Sequence, residues 1–281
     1  MKKILQWVLA ATLISGFTVS VTSCDDNSDN PAPAKKKYRL VHSEQVNDNG
    51  SYYIADYGYD NQGRLLTYKC IAYNTPYGDL VDSDETYTYG DHYIIVWRHD
   101  DLYYRYTLND DGLIVKEEMI KIEDGVEKVT NVDNYQYDGD RLKSYEEFGP
   151  HNLHIYHWED GDLMSCAVDN QEGNMIKTEF TYSGLSVDHG YLTAPLSTVS
   201  KPLYIMGYYG KPSKHLISHI KTVSDTSGGT AQTLTERDYT YTIADGHIVE
   251  MVENTNSIMK IGQMERLTSS KHTITFTYEE Y

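Results

Sequence analysis

From Tyr38 onward the apolar positions alternate with polar ones instead of recurring at helical spacing. The pairs Tyr57-Gly-Tyr59, Tyr87-Thr-Tyr89, Tyr104-Arg-Tyr106, Tyr135-Gln-Tyr137 and Tyr239-Thr-Tyr241 each put two rings on one face of an extended strand. Turn chemistry follows most of them: Asp60-Asn-Gln-Gly63, Asn109-Asp-Asp-Gly112, Asp138-Gly139-Asp140, and Asp245-Gly246, with Asp160-Gly161 after Trp158. Such residues accept the backbone angles that tight hairpins require. An aliphatic run then resumes, as in Arg64-Leu-Leu, Leu113-Ile-Val, Arg141-Leu-Lys, Leu163-Met-Ser and His247-Ile-Val. The predicted unit is an aromatic strand end, a tight turn and a Leu- or Ile-bearing strand. Aromatic ends recur at Tyr59, Tyr89, Tyr106, Tyr137, Trp158, Tyr182, Tyr241 and Tyr278, at spacings too uneven for a solenoid of fixed period. The best helical stretch, Val199–Ile220, is interrupted by Pro202, Gly207, Gly210 and Pro212. The pattern therefore predicts an all-β fold: an antiparallel meander of hairpins over 38–281, curled into an open or closed barrel-like sheet.

The first residues follow a different logic. Lys2 and Lys3 precede an apolar run from Ile4 to Val21, and small residues lead into Cys24. That order reads as a secretion signal over 1–23 rather than a spanning helix. Val21-Thr22-Ser23-Cys24 is similar to a relaxed lipobox, which makes Cys24 the lipid-modified first residue of the mature chain. Residues 24–37 hold no apolar side chain larger than proline and read as a disordered tether. Acidic residues directly after the cysteine resemble the signal that sends lipoproteins to the outer face of the outer membrane in Bacteroidetes-type bacteria; the alternative is residence on the periplasmic face.

Composition sharpens this picture in two respects. The formal charge is −18, so nucleic acid is excluded as a partner and the lipid at Cys24, not a basic patch, must hold the chain to a membrane. Tyrosine supplies 27 residues against 4 Phe and 3 Trp. A ring with a hydroxyl suits a sheet whose faces are partly wet. Cys70 and Cys166 read as two buried free thiols, with a disulfide as the alternative in an oxidising compartment.

The Tyr-Asp-Gly-Asp-Arg-Leu and Tyr-Asp-Asn-Gln-Gly-Arg-Leu stretches resemble YD repeats. The lipoprotein start, these units and Tyr209-Gly-Lys-Pro-Ser-Lys-His-Leu216 together resemble a family of Bacteroidetes lipoproteins, a domain of unknown function with a porin-like fold. Ile217 stands where that family's element would carry proline. The resemblance implies a curled antiparallel sheet and brings no reaction or catalytic residue. Charges on both strand faces, as in Lys116-Glu117-Glu118 and Lys143-Ser-Tyr-Glu146-Glu147, argue against the continuous apolar band of a membrane channel.

No catalytic set is assembled, so no enzyme activity, cofactor or metal is expected. His151, His154 and His157 alternate faces on a strand, and His215 and His219 lack the glutamate of a zinc-binding His-Glu-x-x-His helix. The adjacent acids Glu117-Glu118, Glu146-Glu147 and Asp100-Asp101 point to opposite faces and read as solvated edges. Two function classes remain: a non-enzymatic binding protein for an extracellular glycan or peptide, held through an aromatic surface, or a structural or assembly component of an outer-membrane complex with a protein partner. The widest gap in the aromatic rhythm falls between Tyr182 and Tyr241, and the segment within it carries Tyr208, Tyr209 and Lys211. These three are the expected ligand contacts, on a stretch expected to cover or rim one mouth of the sheet.

Overall fold

The computed structural model describes residues 37–281 apart from 77, 148–151, 171–174, 187–199 and 226–230, with the side chains of 81, 169 and 170 also outside the description. The expected signal at 1–23, Cys24, all of the tether but its last residue, His151 and Val199 lie outside the described residues. Lys37–Tyr281 forms one compact unit. Its first eight strands are β1 (Tyr38–Asn47), β2 (Tyr52–Tyr59), β3 (Leu65–Thr75), β4 (Gly78–Tyr89), β5 (Tyr93–His99), β6 (Leu102–Leu108), β7 (Ile114–Glu123) and β8 (Val126–Asp138). There follow β9 (Arg141–Glu147), β10 (Asn152–Glu159), β11 (Asp162–Asn170), β12 (Met175–Tyr182), the single helical turn α1 (Lys201–Ile205), β13 (Ile217–Asp225), β14 (Ala231–Ala244), β15 (His247–Ile261) and β16 (Met264–Glu280). Each strand pairs antiparallel with its neighbours in sequence, and β16 pairs with β1 to close the barrel. Closure leaves no free sheet edge.

The strand pair of the predicted unit repeats eight times around one end, hereafter the floor end, and a tight turn joins its strands in six of them; β12 and β13 are linked by the long crossing stretch, and β16 meets β1 by closure. Each even-numbered strand finishes in an aromatic-x-aromatic pair or a variant of it, and the next odd-numbered strand opens with an inward aliphatic residue. Those aliphatics are Leu40, Leu65, Ile94, Ile114, Leu142, Leu163, Ile217 and Ile248, all at most 4 % exposed. The terminal ring of one unit donates to the backbone carbonyl of the preceding unit's aliphatic. Tyr59 donates to Leu40 (2.6 Å), Tyr89 to Leu65 (2.8 Å), Tyr137 to Ile114 (2.7 Å) and Trp158, through Nε1, to Leu142 (2.7 Å). Tyr182 donates to Leu163 (2.7 Å), Tyr241 to Ile217 (2.6 Å) and Tyr278 to Ile248 (3.0 Å). This is why tyrosine outnumbers phenylalanine here: the ring packs inward while the hydroxyl ties adjacent units together.

One phase assignment needs correction. On β6 the residue equivalent to Tyr59 is Leu108, which has no hydroxyl to donate; Tyr106 belongs to the next layer inward with Tyr57, Tyr87, Tyr135 and Tyr156. The inward alternation is also broken in a regular way. At seven of the eight units a register shift places one extra residue just after the aliphatic: Val41, Leu66, Val115, Lys143, Met164, Ser218 or Val249. Such bulges tighten local twist and so help the sheet curl.

The stretch from Ser200 to Leu216 lies across the floor end. Pro202 occupies the start of α1, where its missing N–H costs nothing, and the turn buries Leu203 and Tyr204. The chain then steps from hairpin tip to hairpin tip. Tyr208 O accepts from Ile114 N (2.9 Å), Lys211 N donates to Asp140 O (2.8 Å) and Lys214 N to Gly161 O (3.1 Å). Arg141 donates to Pro212 O (2.6 Å), and His215 engages Asp162 through its backbone N and Nδ1 (2.9 and 2.7 Å). Gly210 is obligatory on this path: its φ is +88°, and a Cβ there would lie 2.4 Å from Asp140 O.

Away from the floor end the inward positions turn polar. Asn47, His154, Asp133, Thr178, Thr222, Glu253, Thr255 and His272 continue the inward phase of their strands. They bond to one another or to neighbours: Thr178 to Thr222 (3.1 Å), Thr255 to Glu253 (2.9 Å), His272 to Asn47 (2.5 Å) and Asn131 to Asp133 (2.9 Å). The outward face carries ion pairs along its girth, among them Lys69–Asp84 (3.6 Å), Arg105–Glu118 (3.0 Å) and Lys177–Glu179 (2.7 Å), and a hydrogen bond between His219 and Asp238 (2.8 Å). No helix among the described residues is long and apolar enough to cross a membrane.

Candidate functional site

Where the packed layers give way to the polar lumen, the barrel holds a cavity of about 400 Å³. Its wall is built by β3 to β7 and its lower side by Ser200, Lys201 and Pro202. Five charged side chains of both signs line it: Asp82, Glu85, Arg98, Glu117 and Lys201. Strand phase explains two of them. Glu85 alternates with Tyr87 and Tyr89, and Arg98 alternates with Ile94 and Val96, so both follow apolar residues inward. Glu117 reaches the same face because the bulge at Val115 shifts the phase after Ile114.

Glu85 is 2 % exposed and fully engaged. One oxygen accepts from Arg98 Nε and Nη2, each at 2.9 Å, and the other accepts from the Tyr87 hydroxyl. The Arg98 guanidinium also lies over the Tyr104 ring at 4.9 Å, a cation–π contact that orients it along the wall. Burial pushes the Glu117 carboxyl up to about 7, opposed by donation from Tyr135 (3.0 Å) and reinforced by the nearby Asp133 charge. Lys201 keeps surface open to the cavity while the barrel wall encloses it, and that enclosure holds its ammonium below the ordinary lysine range, with the Cys70 thiol opposing. Lys201 makes no hydrogen bond or ion pair among the described residues.

The expected ligand contacts fall elsewhere. Tyr208 packs its half-buried ring against Tyr89, 6.4 Å between centroids. Tyr209 is 2 % exposed and sits edge-on to Tyr135 at 5.3 Å, inside the core. The Lys211 ammonium is on the outside, 2.6 Å from Asp140. The segment that carries these three thus reaches the cavity through Ser200 and Lys201 instead. The reading of Glu117-Glu118 as a solvated edge is corrected: Glu117 faces the cavity, whereas Glu118 faces outward between Arg105 (3.0 Å) and Lys116 (2.7 Å). The signal for Glu85 and Arg98 lay in the sequence, as charged residues in phase with an aromatic or aliphatic run. That for Glu117 was masked by the bulge.

Neither thiol pairs; Cys70 and Cys166 are free and buried. Among the described residues no group of His, Cys, Asp or Glu is arranged to hold a metal ion. His154 turns inward to Glu147 (3.3 Å), and His215 and His219 face Asp162 and Asp238 respectively, each occupied by a single acid.

Two solved structures share this architecture. A porin-like protein from Bacteroides uniformis superposes with a TM-score of 0.59 at 18 % identity, over 85 % of this chain and 98 % of that one. A porin-like protein from Bacteroides vulgatus gives 0.52 at 12 % identity, again over 85 % and 98 %. At these identities the likeness is one of fold. No curated protein matches the chain. The family model described as a domain of unknown function (DUF4595) with porin-like fold matches residues 57–250, which take in the repeated hairpins, the floor segment and the cavity wall, and the chain belongs to that family.

Proposed function

We propose that this is a non-enzymatic binding protein, anchored through lipid at Cys24 to the outer membrane and facing the cell exterior, that receives an extracellular glycan in the lumen of its barrel. The observation that carries the reading is the cavity itself: a space of about 400 Å³ in which tyrosine rings, hydroxyls and a few charges converge above a packed floor. Rings stack on the C–H faces of sugars while hydroxyls and charged groups bond to their oxygens. A glycan fits better than a peptide on two grounds. The closed barrel offers no edge to which a peptide strand could add, and the wall residues Tyr68, Ser83, Tyr104 and Tyr106 give no aliphatic pocket for a peptide anchor. The outward ion pairs weigh against a lipid-facing wall, since a Lys or Arg at the bilayer midplane costs about 2–4 kcal/mol.

The test is a glycan array probed with the full-length protein in detergent, beside Tyr104→Ala. Binding that the substitution removes without lowering the melting temperature supports the reading; binding that ignores Tyr104 contradicts it. A second reading, a component of an outer-membrane complex, is favoured by one observation. Hairpins at the end opposite the floor carry exposed apolar side chains, including Val126 (66 %), Met175 (60 %), Met264 (71 %) and Leu267 (68 %). Co-purification of a partner that is lost on Met264→Glu and Leu267→Glu would favour it.

A further inference from the structure

The cavity's charge pattern says what kind of glycan it would hold. We infer that Lys201 and Arg98 form a subsite for a carboxylate, so that the ligand is an acidic, uronate-bearing sugar. The inference rests on the glycan reading above and adds its chemistry.

The argument is an inventory of charges around the cavity. Glu85 is spent: its two oxygens are held by Arg98 and Tyr87. Arg98 gives only one side of its fork to Glu85, and its side chain keeps 41 % exposure, directed along the cavity wall. A guanidinium fork with donors to spare suits a planar carboxylate. Glu117 accepts from the Tyr135 hydroxyl, but burial outweighs that donation and holds its carboxyl near 7, so near neutral pH it does not present a full negative charge. Asp82 is the remaining acid on the lining, and no ion pair joins it to Lys201. That leaves the Lys201 ammonium as the cation on this lining that no ion pair engages, enclosed by protein yet open to the cavity.

An enclosed, unpaired ammonium is costly unless something negative joins it, and its own pKa is lowered as that cost requires. Ser200 stands beside it; its hydroxyl makes no capping bond to α1 and lines the same space, free to donate to the second carboxylate oxygen. Tyr104, half-buried on the wall beside Arg98, offers the ring against which the sugar body would lie.

Isothermal titration of the detergent-solubilised full-length protein decides the matter. The probes are a panel of uronate disaccharides, each run beside its carboxyl-reduced neutral counterpart, against wild type, Lys201→Met and Lys201→Arg. The expected result is at least tenfold tighter binding of an acidic member than of its neutral twin. Lys201→Met abolishes that preference, Lys201→Arg retains it, and the melting temperature of Lys201→Met is equal to or above that of wild type, because an unpaired charge has been removed. Equal binding of the acidic and neutral twins, or a preference that survives Lys201→Met, overturns the carboxylate subsite and leaves the glycan reading intact. Failure of every disaccharide to bind overturns both. A lowered melt in Lys201→Met also contradicts the inference, since it would make Lys201 a structural partner.

Discussion

The two halves of this barrel are built from the same strands and obey the same alternation, yet their interiors are opposites. At the floor end, the inward positions are aromatic or aliphatic side chains with few exceptions, such as Ser43 and Cys166, and a crossing segment fills what the strands leave. A few residues further along the same strands, inward positions carry Glu85, Arg98, Glu117, Asp133, His154 and Glu253. A sixteen-stranded closed sheet is too wide for its own side chains to fill along its whole length. The chain meets that difficulty at one end by adding Leu203, Tyr204, Tyr209 and Leu216 to the packing. Elsewhere it lets water in and lines the space with polar groups. Packing is thus concentrated at the floor, and the proposed binding site lies where packing stops.

Paired substitutions sharpen that contrast. The largest effect belongs to Leu163→Ala, at a residue 0 % exposed in the aliphatic ring. It should cost about 3 kcal/mol in chemical denaturation. Thr222→Ala on the lumen face, whose loss is one hydroxyl contact with Thr178, should cost under about 1 kcal/mol. Equal losses would erase the distinction between the halves.

Glu117 lies on the boundary, and pH probes it. Its folded carboxyl sits near 7 against 4.5 ordinarily. The folded state therefore binds the proton more tightly than the unfolded chain does. The stabilisation is fully present below about pH 4.5 and is lost as pH rises toward 7. Glu117→Gln keeps an acceptor for Tyr135 and removes the charge, so it should raise stability by about 3 kcal/mol at pH 8 and change little at pH 4. A gain of the same size at both pH values would mean that packing, not ionisation, is responsible.

A smaller effect than that of Glu117 concerns the hydroxyl ring. Tyr59→Phe removes the donor to Leu40 O while keeping the ring, and should cost about 1 kcal/mol. Leu108→Phe adds a ring at the one unit whose terminal residue has no donor; by the same account it gains nothing from hydrogen bonding.

Much of the floor was legible in the sequence because its code is local. The Tyr-x-Tyr pairs and the Asp/Gly turns lie within a few residues of one another. Asp60 illustrates it: one side-chain oxygen accepts from Gln62 N and Arg64 N, both at 2.8 Å, and so shapes the turn its own sequence announces. Asn109 repeats the device with Asp111 N (3.1 Å) and Leu113 N (2.8 Å). Tyr106 was misphased because β6 substitutes Leu108 for the terminal ring. The cavity was less legible. Glu85 and Arg98 are neighbours across the β4–β5 hairpin, but Lys201 joins them only through the crossing segment, which is a long-range fact. The bulge at Val115 reverses the phase that would have sent Glu117 outward. The interruption of rhythm between Tyr182 and Tyr241 did mark the segment that reaches the cavity, but which of its side chains point inward is decided by one turn of helix and by Gly210.

The measurement that bears most directly on a packed floor beneath an open lumen is thiol accessibility. In a Cys70→Ala, Cys166→Ala background, Ser83→Cys places a thiol on the cavity lining, and Val96→Cys places one a single inward step toward the floor from Arg98, at a residue 2 % exposed. The account predicts that a small maleimide modifies the thiol at position 83 within about tenfold of the rate for a free thiol. The thiol at 96 should react at least about a thousandfold more slowly, at a pace set by unfolding. Rapid modification at both positions would mean the floor is not packed, and protection at both would mean the lumen is not open; either result contradicts the account.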